Sequence, residues 1–469
     1  MEGNHMDVVV KSTCSATNTP FTRSLQMPGN SPNFSQLQSS SQSQQSANPK
    51  PERQLSCESC RNMSSTQNVA IIGAGLSGLT LALALHKQSI PCTIYEARPA
   101  PLDIGGAIML SPNALRILDI LGVYERIQPH GYDFDELHFR SASNEPVDVY
   151  EFGNAEKYGY RGMRIYRHIL ISQLSVIAEE SNIPIQYNRK FSHIVSETPT
   201  DVTWQSVDGA TEKAACLVGA DGIHSRVRKY LYPELEPKFT NMMGVTAAVP
   251  TANLKVPEGY QLPVTIMNPQ HGAFVIAPQQ QDGSEVLIGR QKRAPELDRA
   301  GWTALMNDTN WCVEFLREAA DDFPEIVRSA VSDISPDKIN LWPFYVVPKL
   351  ERWNSEHSRV VIMGDAAHAI APTSGQGVNQ AFEDVYTYSL ILGKAGQSQL
   401  HRALQAWQRG RQERVDKILE LNAKIDKRRM PKQEDQDTVE MGEDFDLEWL
   451  YGPDFAAMVE GWLRMEGLE

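Results

Sequence analysis

Three glycines, Gly73, Gly75 and Gly78, stand in the run Gly73-Ala-Gly-Leu-Ser-Gly78, a spacing suited to holding the phosphates of a dinucleotide. Gly73 allows a tight turn, Gly75 lets a pyrophosphate approach the backbone, and Gly78 lets a helix pack closely on a strand. The free N–H groups and positive dipole end of that helix then face the phosphates. Glu96 follows at the end of Pro91-Cys-Thr-Ile-Tyr-Glu96, where a carboxylate accepts hydrogen bonds from a ribose diol and disfavours a 2′-phosphorylated nucleotide. A second run, Cys216-Leu-Val-Gly-Ala-Asp-Gly-Ile-His-Ser-Arg-Val-Arg228, brings a strand to Asp221-Gly222. A third, from Val360 to Asn379, brings another strand to Gly364-Asp365, bends at Pro372 and opens a helix at Gly375-Gln-Gly377. Asp365 is an acceptor for a ribose or ribityl hydroxyl, and the helix start can stabilise negative charge.

These runs need strands to deliver them and helices to receive them. Asn68-Val-Ala-Ile-Ile72 is a short apolar run ending in glycine, Leu76 to Gln88 is rich in Leu and Ala, and Pro91 to Glu96 is a second strand. The order strand, helix, strand implies a parallel βαβ unit. Between Met242 and Arg290 the texture changes to short β runs separated by turns, a β-rich insertion beside the nucleotide fold. Arg359 to Met363 returns to the buried-strand pattern, and Gln380 to Lys394 and Leu400 to Lys427 read as helices. The expected class is α/β: a Rossmann-like dinucleotide-binding domain, an interwoven β-rich substrate domain and C-terminal helices. The expected boundaries are a low-complexity tail over 1–67, one unit over 68–427 and an acidic tail over 428–469. Within the unit, 68–180, 214–240 and 340–395 serve the nucleotide and 241–339 the substrate.

Composition narrows the partners. The chain has 469 residues and a net charge of −14, which argues against nucleic acid or an anionic membrane surface as a main partner. The Ser/Gln-rich stretch around Ser35 to Ser46 cannot bury enough apolar surface to fold and reads as disordered. Six scattered cysteines, Cys14, Cys57, Cys60, Cys92, Cys216 and Cys312, suit a reducing, cytoplasmic setting. The Cys57-x-x-Cys60 pair has no second pair at zinc spacing, and no metal site is expected. No apolar run is long enough to span a bilayer, and Met1 to Val10 does not read as a secretory signal.

Taken in this order, the three motifs closely resemble those of the group A flavoprotein monooxygenases, the class of para-hydroxybenzoate hydroxylase and salicylate hydroxylase. The resemblance covers about Asn68 to Lys427, and its texture is similar to fungal secondary-metabolism members. It implies FAD as the cofactor, NAD(P)H as reductant and dioxygen as co-substrate. It also implies oxygen transfer from a flavin C4a-hydroperoxide to an electron-rich small molecule: an aromatic, polyketide or alkaloid-like substrate, hydroxylated or epoxidised. The segment Ile104 to Leu115 is similar to the family's flavin-lining stretch, with Gly105-Gly106-Ala107 where relatives often have Gly-Ala-Gly. Gly106 and Ala107 are therefore expected at the flavin, as are Gly377 and Val378. Arg167 matches the family arginine that contacts FAD, and Asp221 supports the pyrophosphate side and NAD(P)H use. His224 and His368 read as structural. Trp342 to Pro348 is a candidate pocket wall as much as a core segment. No substrate base is singled out, and oligomeric state and the choice between NADH and NADPH stay open. Two alternatives share the scaffold: an FAD-dependent reductase, and a non-enzymatic binding protein like the Rab GDP-dissociation inhibitors. The Trp-x-Trp-x-Ile-Pro signature of flavin halogenases is not found.

Overall fold

A computed structural model describes residues 68–101, 106–429 and 446–468. The low-complexity tail, Cys14, Cys57, Cys60, Ile104, Gly105 and most of the acidic run from Glu434 lie outside the described residues.

Short runs of Val, Ile and Leu with no polar alternation must be covered on both faces, which favours a parallel sheet between helical layers. Val69–Ile72 and Cys216–Gly219 are such runs, buried along their whole length. They form a five-stranded sheet in the order Val360–Ile362, Cys216–Gly219, Val69–Ile72, Cys92–Tyr95, Ile185–Gln186, with every pairing parallel. The helix Leu76–Lys87 packs on it, and Gly377–Lys394 packs on that helix. Strand register decides where the connecting loops emerge. Ile72 lies beside Tyr95 and Gly219, and Gly219 lies beside Ile362. The strands therefore end level, and Gly73, Glu96, Asp221 and the Gly364-Asp365 turn all leave from one carboxyl edge. That edge is where open α/β sheets bind ligands.

The second unit is a seven-stranded sheet in the order Ile339–Val346, Lys238–Pro250, Glu285–Arg293, Gly272–Pro278, Val264–Asn268, Glu136–Ser141, Pro146–Glu151. It is wider than the expected 241–339 insertion, because it recruits two strands from about a hundred residues upstream and Ile339–Val346 at its other edge. One face is apolar at alternate positions: Val245, Ala247, Ile276 and Ile288 pack against Trp302, Phe315, Leu316, Ile326 and Val327 of three short helices. The other face carries the small or half-buried Thr246, Ala248, Val275 and Leu287. A three-stranded sheet, Ala107–Leu110, Gly162–Tyr166 and Tyr132–Phe134, lies between the two units.

The C-terminal segment departs from the expected acidic tail. Among its described residues, Glu448–Tyr451 and Phe455–Met465 are helices. Phe455, Val459, Trp462 and Leu463 join the nucleotide-side core. Their spacing is that of one helical face, a signal masked in sequence by the run of acids just before it. Among the described residues no helix is long and apolar enough to cross a membrane, and Cys92, Cys216 and Cys312 are buried free thiols.

Trp462 sits against Gly410 of the helix Leu400–Arg429, where a Cβ would fall 2.1 Å from the indole. Truncating it removes the indole that covers Gly410. Trp462→Ala should cost about 3–5 kcal/mol, read as a lowered urea midpoint in equilibrium unfolding. A loss below about 1 kcal/mol would show that the terminal helix is not part of the core.

Candidate active site

The glycine run adopts the geometry its residue types permit. Gly73 has φ +106°, and a Cβ there would meet Ala220 O at 2.7 Å. A Cβ on Gly78 would fall 1.9 Å from Gly73 O, so this residue sets the contact of helix with loop. Gly75 differs: a Cβ there meets no protein atom within 4 Å. The glycine is not demanded by the protein's own packing, and the space beside it is left for something else. Gly377, the first residue of the helix Gly377–Lys394, is likewise open.

Glu96 is buried, and its carboxylate accepts from Ala74 N–H at 2.8 Å and Arg98 N–H at 2.8 Å. It thus braces the glycine loop. Asp221 is spent locally: it accepts from Ser225 Oγ at 2.5 Å and from the N–H groups of Arg226 and Val227 at 2.8 and 3.2 Å. Its carboxylate caps the turn after its strand, as an N-cap acid does.

Asp365 and Arg167 behave otherwise. Both are open to solvent, yet the surrounding protein desolvates them. Burial pushes the Asp365 carboxyl up, against the pull of His368 and Arg167. Burial pushes the Arg167 guanidinium down, against Asp365. Charged groups that are wet but deep line a concave site. Neither side chain has a hydrogen-bond partner among the described residues, so each has bonding capacity to offer a ligand.

Gly106 and Ala107 are held to the large sheet. Ala107 N–H donates to Gln279 Oε1 at 3.1 Å, and Gln279 Nε2 donates to Tyr166 Oη at 3.0 Å. Tyr166 in turn donates to Glu285, which pairs with Lys338 at 2.5 Å. Arg167 N–H also donates to Gly106 O at 3.4 Å. Val378 is partly buried and packs against the nucleotide-side core.

His368 is structural, as its sequence context suggests: Nε2 lies 2.5 Å from Asp384 Oδ2. His224 is exposed, with its ring 6.2 Å from that of Tyr345. Trp342 is 46% exposed on the edge strand and closes no core. Phe344, two residues on, lies over Gly244, where a Cβ would meet its ring at 3.0 Å. No group of three or more possible metal ligands occurs among the described residues.

The model of an FAD binding domain family matches residues 66–422. The chain belongs to this family. It is 29% identical over 337 residues to a 3-amino-4-hydroxybenzoate 2-monooxygenase, PtmB3, of Streptomyces platensis, covering 70% of this chain and 80% of the relative. It is 28% identical over 373 residues to a hispidin-3-hydroxylase of Neonothopanus nambi, covering 74% and 86%. Among solved structures, CtdE in complex with FAD and a substrate superposes with a TM-score of 0.71 at 22% identity over 85% of this chain and 98% of that one. At that identity the likeness speaks for the fold.

The residues present fit a flavin dinucleotide on their own terms. Gly75 and Gly377 leave open space at two helix starts, and Asp365 and Arg167 offer an unpaired acceptor and donor between them. Sequence reasoning missed Gln279, the clamp on Ala107, because the two are 172 residues apart. It also missed Glu383, Asp384, Arg411 and Arg414, buried charges that brace the late turn; two adjacent acids inside an apolar helical pattern were the available signal.

Gly75 offers a clean test, because the apoprotein has room for a side chain. Gly75→Val should leave the apoprotein's unfolding midpoint nearly unchanged and weaken FAD binding at least tenfold, read by flavin fluorescence on titration. Gly78→Val, whose Cβ has no room, should instead fail to fold. Unaltered FAD affinity in Gly75→Val would move the pyrophosphate elsewhere.

Proposed function

We propose that this protein is an FAD-dependent monooxygenase that uses NAD(P)H and dioxygen to hydroxylate or epoxidise a small aromatic or similarly electron-rich substrate in secondary metabolism. The observation that carries it is that the glycine loop at Gly73 to Gly78 and the unpaired Asp365 leave one carboxyl edge, with the unpaired Arg167 close enough to Asp365 for the two charges to interact. The named activities of the curated relatives support the same reading.

Bound flavin would supply the redox chemistry, taking a hydride from the nicotinamide and delivering one atom of dioxygen to the substrate. The chain's own tasks are binding, orientation and charge. The backbone around Gly75 and the N-terminus of the first helix receive the pyrophosphate. Glu96 keeps lone pairs for the adenosine ribose while bracing the loop. Asp365 accepts from a sugar-chain hydroxyl, and Arg167 donates to phosphate or ring oxygens through a planar fork. Gly106 and Ala107, clamped by Gln279, present backbone to one side of the ring system. The helix start at Gly377 and Val378 directs N–H groups at its negative edge. The half-buried face of the large sheet, with Thr246, Ala248, Val275 and Leu287, is the substrate's wall and excludes water. The acidic net charge, the free buried thiols and the small-molecule chemistry agree with a cytoplasmic enzyme that has no nucleic-acid partner.

The experiment is a visible spectrum and flavin assay of purified protein, followed by parallel NADH or NADPH oxidation and oxygen-electrode traces with a panel of phenols. The expected result is bound FAD and oxygen uptake coupled to substrate oxygenation. A colourless protein that does not take up FAD, or turnover indifferent to dioxygen, would contradict the proposal.

A further inference from the structure

The peptide unit that joins Gly106 to Ala107 is held at both of its polar ends. Its carbonyl, Gly106 O, accepts from Arg167 N–H at 3.4 Å, and its N–H, on Ala107, donates to Gln279 Oε1 at 3.1 Å. The large sheet lies close on the same unit: a Cβ on Gly106 would stand 3.5 Å from Gln279 Oε1 and 3.7 Å from Leu287 Cδ1. A peptide bonded at both ends cannot turn its plane without losing both bonds. Gln279 is 2% exposed, so its amide depends on protein partners. The two ends of that amide are not equivalent, because Oε1 accepts and Nε2 donates. Only the orientation with Oε1 toward Ala107 serves the peptide; the reversed amide would set donor against donor.

The orientation is set from a charged group further off. Lys338 Nζ donates to Glu285 Oε2 at 2.5 Å, and a carboxylate in an ion pair only accepts. Tyr166 Oη bonds Glu285 Oε1 and must therefore donate to it. Burial and the Glu285 carboxylate both push the Tyr166 phenol up, so it keeps its proton. With its one hydrogen committed, the phenol oxygen accepts, and it does so from Gln279 Nε2 at 3.0 Å. That turns Oε1 toward Ala107. The relay from Glu285 through Tyr166 and Gln279 to Ala107 thus runs in one sense only, and an acid at the start of the strand Glu285–Arg293 stands at its head.

We propose that Glu285 and Tyr166 are positioning residues for the flavin: through the Gln279 amide they fix the plane of the Gly106–Ala107 peptide before FAD binds. Glu285 acts only through its neighbours. A peptide left free to turn must be ordered when the cofactor arrives, and that ordering opposes binding. The inference rests on the reading that places Gly106 and Ala107 at the flavin, while the fixing of the peptide is a property of the chain alone.

The test uses the full chain and two readouts. Hydrogen exchange of the segment containing Ala107 is followed by mass spectrometry in FAD-free protein, and FAD affinity is measured by flavin fluorescence on titration. Tyr166→Phe removes both the donor to Glu285 and the acceptor for Gln279. Glu285→Gln keeps the size but puts an amide that donates and accepts at the head of the relay, so its sense is no longer fixed. Each should speed exchange at Ala107 roughly tenfold or more. Each should also weaken FAD binding about five- to thirtyfold. Lys338→Met removes the ion pair and leaves Tyr166 its acceptor, so both readouts should move by less than about threefold. The effect of Tyr166→Phe should vanish in a Gln279→Leu background, because the phenol acts through that amide. Unchanged exchange and affinity in Tyr166→Phe and Glu285→Gln, or effects that add to those of Gln279→Leu, overturn the proposal. An equal loss in Lys338→Met also overturns it, by making the ion pair and not the bond direction the cause. If Gln279→Leu does not accumulate, Glu285→Gln against Lys338→Met decides. A wild-type protein that takes up no FAD contradicts the cofactor reading, while the exchange measurement still decides the relay, so the two failures are told apart.

Discussion

Two adjacent acids on one buried helix, Glu383 and Asp384, hold the late part of the site together. Asp384 accepts from Gly364 N–H at 2.8 Å and from Arg411 Nε at 2.8 Å, and lies 2.5 Å from His368 Nε2. Glu383 meets Arg411, Arg414 Nε at 2.6 Å and Asn113 Nδ2 at 2.7 Å. Burial alone would raise both carboxyls. The charges of Arg414 and Arg411 around Glu383, and of His368 and Arg411 around Asp384, outweigh it and hold both below the usual range. Removing one member of such a set strands a buried charge, at about 3–5 kcal/mol. The set also reaches outward: Arg414 donates to Trp449 O at 2.6 Å, tying the terminal segment to the helix that begins at Gly377.

The consequence is a rigid edge. Gly364 has φ +57°, a conformation that Asp384 fixes from below, and Asp365 emerges from it unpaired. Asn379, at the start of the same helix, accepts from Ser111 N–H at 3.1 Å and donates to Gly375 O at 2.8 Å, which binds the helix start to the end of the strand Ala107–Leu110. The less buried face of the large sheet carries the small or half-buried Thr246, Ala248, Val275 and Leu287. On the proposed reading, the tightly bonded edge is the one that holds the cofactor, where geometry must be kept.

Much of the nucleotide fold is legible in the sequence because its motifs report local geometry. A strand followed by Gly73, Gly75 and Gly78 can do little else, and short buried strands leading to Glu96, Asp221 and Asp365 align at one edge. The rest depends on distant pairing. The second task of Glu96 in bracing Ala74, the commitment of Asp221 to its own turn and the Gln279 clamp appear only when backbone donors are located. The large sheet reads too narrow in sequence because Glu136–Ser141 joins Val264–Asn268 in parallel from far upstream. The terminal helix reads as a tail because acidic composition outweighs the spacing of Phe455, Val459, Trp462 and Leu463.

The central claim is that the helix beginning at Gly377 faces the negative edge of the reduced flavin. The apoprotein has open space at that residue, so Gly377→Val would be felt by the cofactor before the fold. The direct measurement is the flavin midpoint potential of the wild type and of Gly377→Val reconstituted with FAD. A lower potential in the variant, with slower anaerobic reduction by NAD(P)H, is the predicted result, because N–H groups that stabilise the reduced anion are displaced. An unchanged potential and reduction rate would contradict it and place the anion site elsewhere.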